Sequence, residues 1–190
     1  MKIAVMFGSF NPMTNAHVAA MKTAVEALQA DKGLFVATNG KYLKRKTVKT
    51  GDPFYLPEDE RKSVIEKVCE SEPDLEFWSF ELGGINPNRY KTLCKIQKQY
   101  PDAELYLACG TDMFTTFDQW YRYRDIYQLA TICAVARDDS LDKMKAFAKE
   151  QEKLGMKYLL SQAEPYVISS SDIRDMLRRG DDASAHLPNA

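Results

Sequence analysis

The residues best suited to chemistry lie near the start of the chain, where an apolar run ends in glycine, proline, threonine and histidine. The run IAVMF at 3–7 is followed by GSFNPMTNAH, which ends at His17. Gly8 allows a backbone to approach a ligand closely, and Thr14 or Asn15 can cap a helix whose free N–H groups favour an anion, most often phosphate. The His17 ring could donate to the same anion. A capping Thr14 and an ordinary histidine explain this stretch equally well.

A second candidate lies near the C-terminus, where VISSSDIRDMLRRGD runs from a strand-like end through three serines into a helix. Hydroxyls, free N–H groups and Arg174 share this helix start, which suits another phosphate. A capping box of Ser169 or Ser170 with Asp172, together with a solvated Arg174, explains the same residues without a ligand. Taken together, the two helix starts favour a polyphosphate held by both.

These helix starts need a scaffold, and short apolar runs alternate with helical patterns along the chain. We predict strands at 3–7, 34–38, 75–82, from 104, 131–136 and 157–161. Helices are predicted at 16–29, from Pro57, at 89–99, 120–129 and 139–154, and from the serines to a stop at Gly180. This alternation predicts an α/β fold: a doubly wound, Rossmann-like parallel sheet with helices on both faces. Ligands then bind at the carboxyl ends of the strands, where both candidate stretches begin.

Length and composition set the class of protein. The chain has 190 residues with 26 basic and 27 acidic side chains, which predicts one domain over 1–190 and no general basic field for nucleic acid. Four dispersed cysteines lack the spacing of a zinc or dithiol site, so no side-chain metal site is predicted. No apolar run is long enough to span a membrane. We expect a soluble cytoplasmic protein.

The two stretches resemble known motifs. GSFNPMTNAH resembles the G-x-F-x-P-x-[HT]-x-x-H signature of the nucleotidyltransferase superfamily, and ISSSDIR is similar to I-S-S-T-x-I-R in nicotinamide or nicotinate mononucleotide adenylyltransferases. Between them, NRYKTL resembles the S-Y-T-V-D-T-L segment of that family. LACGTDMFTTFDQWYRYRDI resembles its I-I-G-A-D segment with the following Trp, and AVARDD its strand ending in Arg. The resemblance spans nearly the whole chain and implies a fold of the nucleotidyltransferase type.

The resemblance implies a reaction in NAD biosynthesis. Family members transfer AMP from ATP to the 5′-phosphate of nicotinate or nicotinamide mononucleotide and release pyrophosphate. No protein nucleophile is needed, and Mg²⁺ bridges the phosphate oxygens of ATP. The implied catalytic residues are Thr14, His17 and Arg174, with His17 and Arg174 stabilising charge on the phosphates. The implied ATP-binding residues are Gly8, Ser9, Phe10, His17, Gly110, Asp112, Ile168, Ser169, Ser170 and Arg174.

The acceptor side of the site is implied by the central motifs. Trp120 corresponds to the family's Trp that stacks on the pyridine ring, although a Trp spaced helically from Tyr123 is more often part of a core. The implied mononucleotide-binding residues are Tyr90, Thr92, Asp112, Trp120 and Arg137. Asp112 can also be a helix cap after Gly110.

The basic run KYLKRKTVK at 41–49 is usually a solvated loop. Because it follows the end of a strand, where family members direct a basic residue to ATP, Lys44 or Lys46 is a candidate phosphate clamp. The chain lacks the family's usual last segment. We expect the tail over 181–190 to be flexible. The motifs do not decide whether the chain forms a homo-oligomer.

Three functions stay open at this point. The first is a pyridine-nucleotide adenylyltransferase with ATP and a pyridine mononucleotide as substrates. The second is an adenylyl- or cytidylyltransferase for another phosphorylated acceptor, such as phosphopantetheine. The third is a non-catalytic nucleotide sensor of the same fold. TNGKYLKRK contains no histidine where bacterial members have N-P-P-H-K, so the choice of acceptor is not decided by the motifs.

Overall fold

A parallel sheet forms the centre of the fold. A computed structural model of the protein describes residues 1–52, 54–84, 88–136, 140–162 and 168–189, and of Gln162 only the backbone. The strands are β1 (Lys2–Gly8), β2 (Lys32–Ala37), β3 (Leu75–Trp78), β4 (Glu104–Gly110), β5 (Ala130–Ala136) and β6 (Tyr158–Gln162). Their order is β3-β2-β1-β4-β5-β6 and all run parallel. This order is that of a doubly wound sheet, so the predicted fold class is confirmed.

Helices connect the strands, as parallel neighbours require. They are α1 (Asn15–Leu28), α2 (Gly40–Thr50), α3 (Glu58–Ser71), α4 (Arg89–Gln99), α5 (Thr111–Phe114), α6 (Tyr123–Leu129), α7 (Leu141–Glu152) and α8 (Ser170–Arg179). The predicted stop at Gly180 is confirmed: Gly180 has φ 77°, and its N–H donates to the carbonyls of Leu177 and Met176. Within the described ranges, none of the helices is both long and apolar enough to cross a membrane.

The prediction of a loop at 41–49 is wrong, because these residues belong to α2. The Asn39 side chain caps this helix by accepting the Tyr42 N–H at 2.8 Å, and Gly51 ends it with φ 69°. Leu43 and Thr47, four positions apart, are buried on one face. The caps were visible in the sequence, but the many charged residues between them hid a narrow apolar stripe.

Two further boundaries differ from the prediction by more than two residues. The strand at 75–82 ends at Trp78, because Ser79–Glu81 form a 3₁₀ turn that the Leu82 N–H closes on the Ser79 carbonyl at 2.9 Å. The helix at 120–129 begins only at Tyr123, so Trp120 lies before it, at the end of a second 3₁₀ turn.

The chain forms two compact units. One, the Trp120 unit, comprises Met1–Met6, Ala20–Gly33 and Asn88–Val167, and its core contains Leu107 of β4 and Ile132 of β5. The other, the His17 unit, comprises Phe7–Ala19, Leu34–Pro87 and Ile168–Ala190, with a core that contains Phe10, Phe35 and Ile65. A single domain over 1–190 stays a prediction.

Candidate active site

The loop after β1 is built around the buried ring of Phe10. Phe10 has φ 45° and packs edge-on against His17 and Phe35, with ring centroids 5.2 and 5.6 Å apart. A Cβ atom at Gly8 would lie 2.6 Å from two carbons of the Phe10 ring. Gly8 therefore has an internal reason to be glycine, besides the ligand approach expected from the sequence.

Thr14 orients the His17 ring. The Thr14 N–H donates to His17 Nδ1 at 3.1 Å, and Thr14 Oγ1 lies 2.8 Å from the same nitrogen. A ring nitrogen that accepts from an N–H carries no proton, so the proton of the neutral ring is on Nε2. Thr14 is fully buried, whereas His17 is half-buried. The pair thus presents a fixed Nε2–H donor at the start of α1.

Arg61 contacts the loop after β1, and no role for it was predicted from the sequence. It projects from α3, is 1% exposed, and donates from Nη1 to the Ser9 carbonyl at 2.8 Å. In the described part of the chain, its Nε and Nη2 atoms have no hydrogen-bond partner. Burial lowers the pKa of the Arg61 guanidinium from its ordinary value. The charges of Tyr55 and Glu58 raise this pKa, but by less than burial lowers it. The sequence does contain a sign of this role: Arg61 lies on the face of α3 that continues with the buried Ile65, where an arginine is unusual.

The start of α8 is hydrogen-bonded to the loop after β1. Ser170 Oγ donates to the Pro12 carbonyl at 2.8 Å, and Arg174 Nη1 donates to the Asn11 carbonyl at 2.9 Å. The structure therefore brings together the two motifs that stand at opposite ends of the chain. The predicted polyphosphate site requires this juxtaposition.

The capping box considered for α8 is present. The Ser169 N–H donates to Asp172 Oδ2 at 2.7 Å, and the Asp172 N–H donates to Ser169 Oγ at 3.2 Å. The Ser169 hydroxyl also donates to Asp172 Oδ2, at 2.7 Å, and this bond together with that from the Ser169 N–H holds the pKa of Asp172 below its usual value. The hydroxyls of Ser169 and Ser170 serve the helix and the loop, and the Asp172 N–H serves the cap. The backbone donors of the first turn that can still bind an anion are therefore the N–H groups of Ser170 and Ser171, which have no intrahelical acceptor.

Arg174 is paired rather than solvated. Its Nε donates to Asp52 Oδ2 at 2.7 Å, and its Nη2 donates to Ser171 Oγ at 2.9 Å. The side chains of Arg174 and Asp52 are each 15% exposed. The second Asp52 oxygen accepts from Arg178 and from the Phe54 N–H. Burial raises the pKa of Asp52. The hydrogen bond from the Phe54 N–H and the contacts with Arg174 and Arg178 outweigh this effect, so the pKa lies below its usual value.

The candidate clamp residues lie on α2, and both are exposed. Lys44 lines a cavity of about 240 Å³. The residues that line this cavity are Lys44, Thr47, Val48, Gly51, Asp52 and Tyr55. Lys46 is not among them. Of the two candidates, Lys44 is the one that lines this cavity together with Asp52, the partner of Arg174.

The Trp120 unit contains the residues predicted for the acceptor. The Trp120 ring stacks on Phe117 with centroids 4.4 Å apart, and Arg89 lies over the Trp120 ring at 4.1 Å. Phe117 is fully buried, whereas Trp120 is half-buried. Trp120 is thus held from below by a core aromatic ring and already has a cation against its face.

The remaining predicted residues of this unit differ in exposure. Tyr90 is half-buried beneath the Arg122 guanidinium, whereas Thr92 is buried and donates from its hydroxyl to the Asn88 carbonyl at 3.2 Å. Gly110 is the N-cap residue of α5, and the exposed Asp112 lies in its first turn. Arg137 lies outside the described residues. Ile168, in the His17 unit, is half-buried just before the α8 cap.

A doubly wound parallel sheet with hydrogen-bonded motifs after its first strand and at its last helix defines a nucleotidyltransferase-type α/β protein. A cytidylyltransferase-like family model matches residues 5–176. The chain therefore belongs to the cytidylyltransferase-like family, as its motifs predicted.

Its relatives carry a more specific name. The chain is 28% identical over 205 residues to the probable nicotinate-nucleotide adenylyltransferase of Maridesulfovibrio salexigens, covering 100% of this chain and 92% of the relative. It is 30% identical over 148 residues to the protein of that name from Aquifex aeolicus, covering 77% and 83%. The Plasmodium falciparum nicotinic acid mononucleotide adenylyltransferase complexed with APC shares the fold, with a TM-score of 0.74 at 15% identity over 99% of this chain and 90% of that chain.

Proposed function

We propose that this chain transfers AMP from ATP to nicotinate mononucleotide, forming a pyridine dinucleotide and pyrophosphate in NAD biosynthesis. The observation that carries the proposal is the pair of hydrogen bonds from Ser170 and Arg174 to the carbonyls of Pro12 and Asn11. They join two helix starts, one with a histidine donor and the other with an arginine. The names of the relatives from Maridesulfovibrio salexigens and Aquifex aeolicus support the same reaction.

The chemistry needs charge stabilisation more than a nucleophile. The 5′-phosphate of the acceptor attacks the α-phosphorus of ATP, and both groups are anions. His17 Nε2–H, the Arg174 guanidinium and the N–H groups at the helix starts are donors that can offset this repulsion and the charge on the leaving pyrophosphate. Thr14 keeps the His17 donor pointed outward by occupying Nδ1.

Mg²⁺ is proposed to arrive with ATP, bound to the phosphate oxygens. The donors of the His17 unit suit phosphate oxygens, since a guanidinium, an imidazole N–H and backbone N–H groups bind anions. The ion would supply additional positive charge to the phosphates. Lys44 is the side chain of α2 that we propose as the further phosphate contact.

The acid form of the acceptor is favoured by Arg89. Its guanidinium lies 4.1 Å from the centroid of the Trp120 ring. Phe117 covers one face of Trp120 and Arg89 covers the other. A pyridine ring that stacks on Trp120 would therefore take the place of Arg89 and bring its substituent beside the displaced cation. A carboxylate would form a hydrogen bond with the guanidinium in which both partners are charged, whereas the carboxamide of nicotinamide offers only a neutral acceptor. We therefore propose nicotinate mononucleotide as the preferred acceptor.

An acceptor comparison tests the proposal. The purified chain with Mg²⁺ and ATP is offered nicotinate mononucleotide, nicotinamide mononucleotide or phosphopantetheine, and dinucleotide and pyrophosphate are measured. We expect the highest kcat/KM with nicotinate mononucleotide. Turnover with phosphopantetheine alone would favour the second function named above. ATP binding without turnover of any acceptor would favour a nucleotide sensor.

The role of Arg89 has a matched control in the same unit. Arg89→Gln should lower kcat/KM for nicotinate mononucleotide about tenfold, the value of one charge-assisted hydrogen bond, and lower that for nicotinamide mononucleotide by clearly less. Arg124→Gln removes an equal charge that lies over the Tyr123 ring. It should change neither value by more than about twofold. Equal losses with both acceptors in Arg89→Gln would contradict this role.

A further inference from the structure

We propose that Asp52 is a positioning residue for the reaction: its carboxylate fixes the Arg174 guanidinium in the orientation that binds the phosphates of ATP. The inference rests on the proposed function, in which Arg174 contacts the phosphates. It adds a residue that neither terminal motif contains, in the segment between α2 and α3.

The geometry of the contact assigns separate tasks to the nitrogens of Arg174. Asp52 accepts from Nε at 2.7 Å, on the side of the guanidinium nearest the chain. Nη1 and Nη2 each donate one hydrogen, to the Asn11 carbonyl and to Ser171 Oγ. Each of these terminal nitrogens carries a second N–H, which can donate to a phosphate oxygen. Asp52 thus holds one edge of the planar group and leaves the other for the ligand.

Asp52 is itself held in place, which a positioning residue requires. Its Oδ1 accepts the Phe54 N–H at 3.0 Å. Asn11 then ties this segment to the loop after β1: its Nδ2 donates to the Phe54 carbonyl at 3.1 Å, and its Oδ1 accepts the Leu56 N–H at 2.8 Å. The guanidinium is therefore set relative to the loop that carries His17.

Burial separates this contact from an ordinary surface ion pair. The side chains of Asp52 and Arg174 are both 15% exposed, whereas Arg178 is 38% and Asp175 is 53% exposed. Exposed pairs are weak because the side chains move and water competes. Water competes less for a pair as covered as Asp52 and Arg174, and further hydrogen bonds hold both side chains in place.

The cluster also provides a charge-matched control. Asp175 pairs with Arg178, on the same helix as Arg174. Asp175→Asn and Asp52→Asn each remove one negative charge from this cluster. Only Asp52→Asn changes a group that contacts Arg174, so a difference between the two variants reports orientation rather than charge.

The test is a double-mutant cycle that combines Asp52→Asn with Arg174→Lys. Lysine keeps the charge but has neither the Nε–H nor the fork that Asp52 holds. We measure kcat/KM for ATP and, by calorimetry, the Kd and binding stoichiometry of MgATP. Asp52→Asn alone should lower kcat/KM about tenfold, as expected for a lost charged hydrogen bond. In the Arg174→Lys background it should change kcat/KM by less than about twofold, as should Asp175→Asn in the wild type.

Three results would overturn the proposal. Equal losses from Asp52→Asn in both backgrounds would mean a general structural role, because misfolding does not depend on which residue stands at 174. Equal losses from Asp52→Asn and Asp175→Asn would mean a pure charge effect. Wild-type kcat/KM in Asp52→Asn would mean no role.

Failure of the proposed function would appear separately, as a wild-type protein that turns over none of the acceptors. The same four proteins then decide the role of Asp52 from MgATP affinity alone, since that measurement uses no acceptor. Coupling in Kd between positions 52 and 174 would support the role, and additive effects would overturn it. A wild type that does not bind MgATP would refute both proposals.

Discussion

Substituting Gly8 with alanine tests whether this glycine is required by internal packing or by a ligand. The new Cβ would lie 2.6 Å from Cε1 and Cζ of Phe10, far inside van der Waals contact. Phe10 is 1% exposed and its ring contacts both His17 and Phe35, so it cannot move without disturbing them. Overpacking of this kind costs about 1–3 kcal/mol in the free energy of unfolding.

For a protein of this length the cost corresponds to a fall in Tm of about 2–12 °C. We expect Gly8→Ala to show this fall in a thermal melt without ATP. Turnover should also fall, because a displaced Phe10 ring shifts the His17 ring that packs against it. Activity is measured on the fraction that calorimetry shows to bind MgATP.

The double variant Gly8→Ala, Phe10→Leu supplies the control. Leucine lacks the two ring atoms that the new methyl group would meet. In the Phe10→Leu background, Gly8→Ala should therefore lower the Tm by less than half as much as it does in the wild type. A Gly8→Ala protein with wild-type Tm and only a raised KM for ATP would refute the packing argument. It would favour the role in ligand approach that the sequence suggested.

Three further predictions concern the same unit. His17→Ala should lower kcat/KM for ATP about 10²–10³-fold in steady-state kinetics, and a loss under threefold would exclude a charge-stabilising role. Arg61→Met should keep Tm within about 3 °C, because the lost bond to the Ser9 carbonyl is offset by removing a buried cation, while KM for ATP rises. A Tm loss clearly above about 3 °C, or an unchanged KM for ATP, would contradict this. Because the pKa of Asp172 is lowered by folding, its carboxylate stabilises the fold above about pH 4, and this contribution is lost at lower pH. The difference in urea midpoint between wild type and Asp172→Asn should therefore be constant above about pH 5 and shrink as the pH falls below about 4.

The fold could be predicted from the sequence because its signals are local. Strands such as IAVMF are apolar on both faces, and helix starts and stops such as Ser169 and Gly180 carry their own caps. The sequence misled where a local signal was weak. In α2, the charged residues between Asn39 and Gly51 obscured the buried pair Leu43 and Thr47.

The site was partly predictable for a different reason. Both terminal motifs could be recognised, but the contacts that orient them involve residues distant in the chain. Asp52 precedes its partner Arg174 by 122 positions, and Arg61 follows Ser9 by 52. No periodicity or spacing relates such pairs, because only the folded backbone brings them together. An isolated aspartate after a helix and an arginine on a buried stripe are the only traces that they leave in the sequence.

ATP labelled at the α-phosphate shows whether the chain transfers AMP. With Mg²⁺ and nicotinate mononucleotide, the account predicts that the label appears in the dinucleotide, in an amount equal to the pyrophosphate released. When ATP carries the label at the γ-phosphate, the label should appear in the released pyrophosphate and not in the dinucleotide. Label that stays in ATP while MgATP binds, or that appears in ADP, would contradict the account.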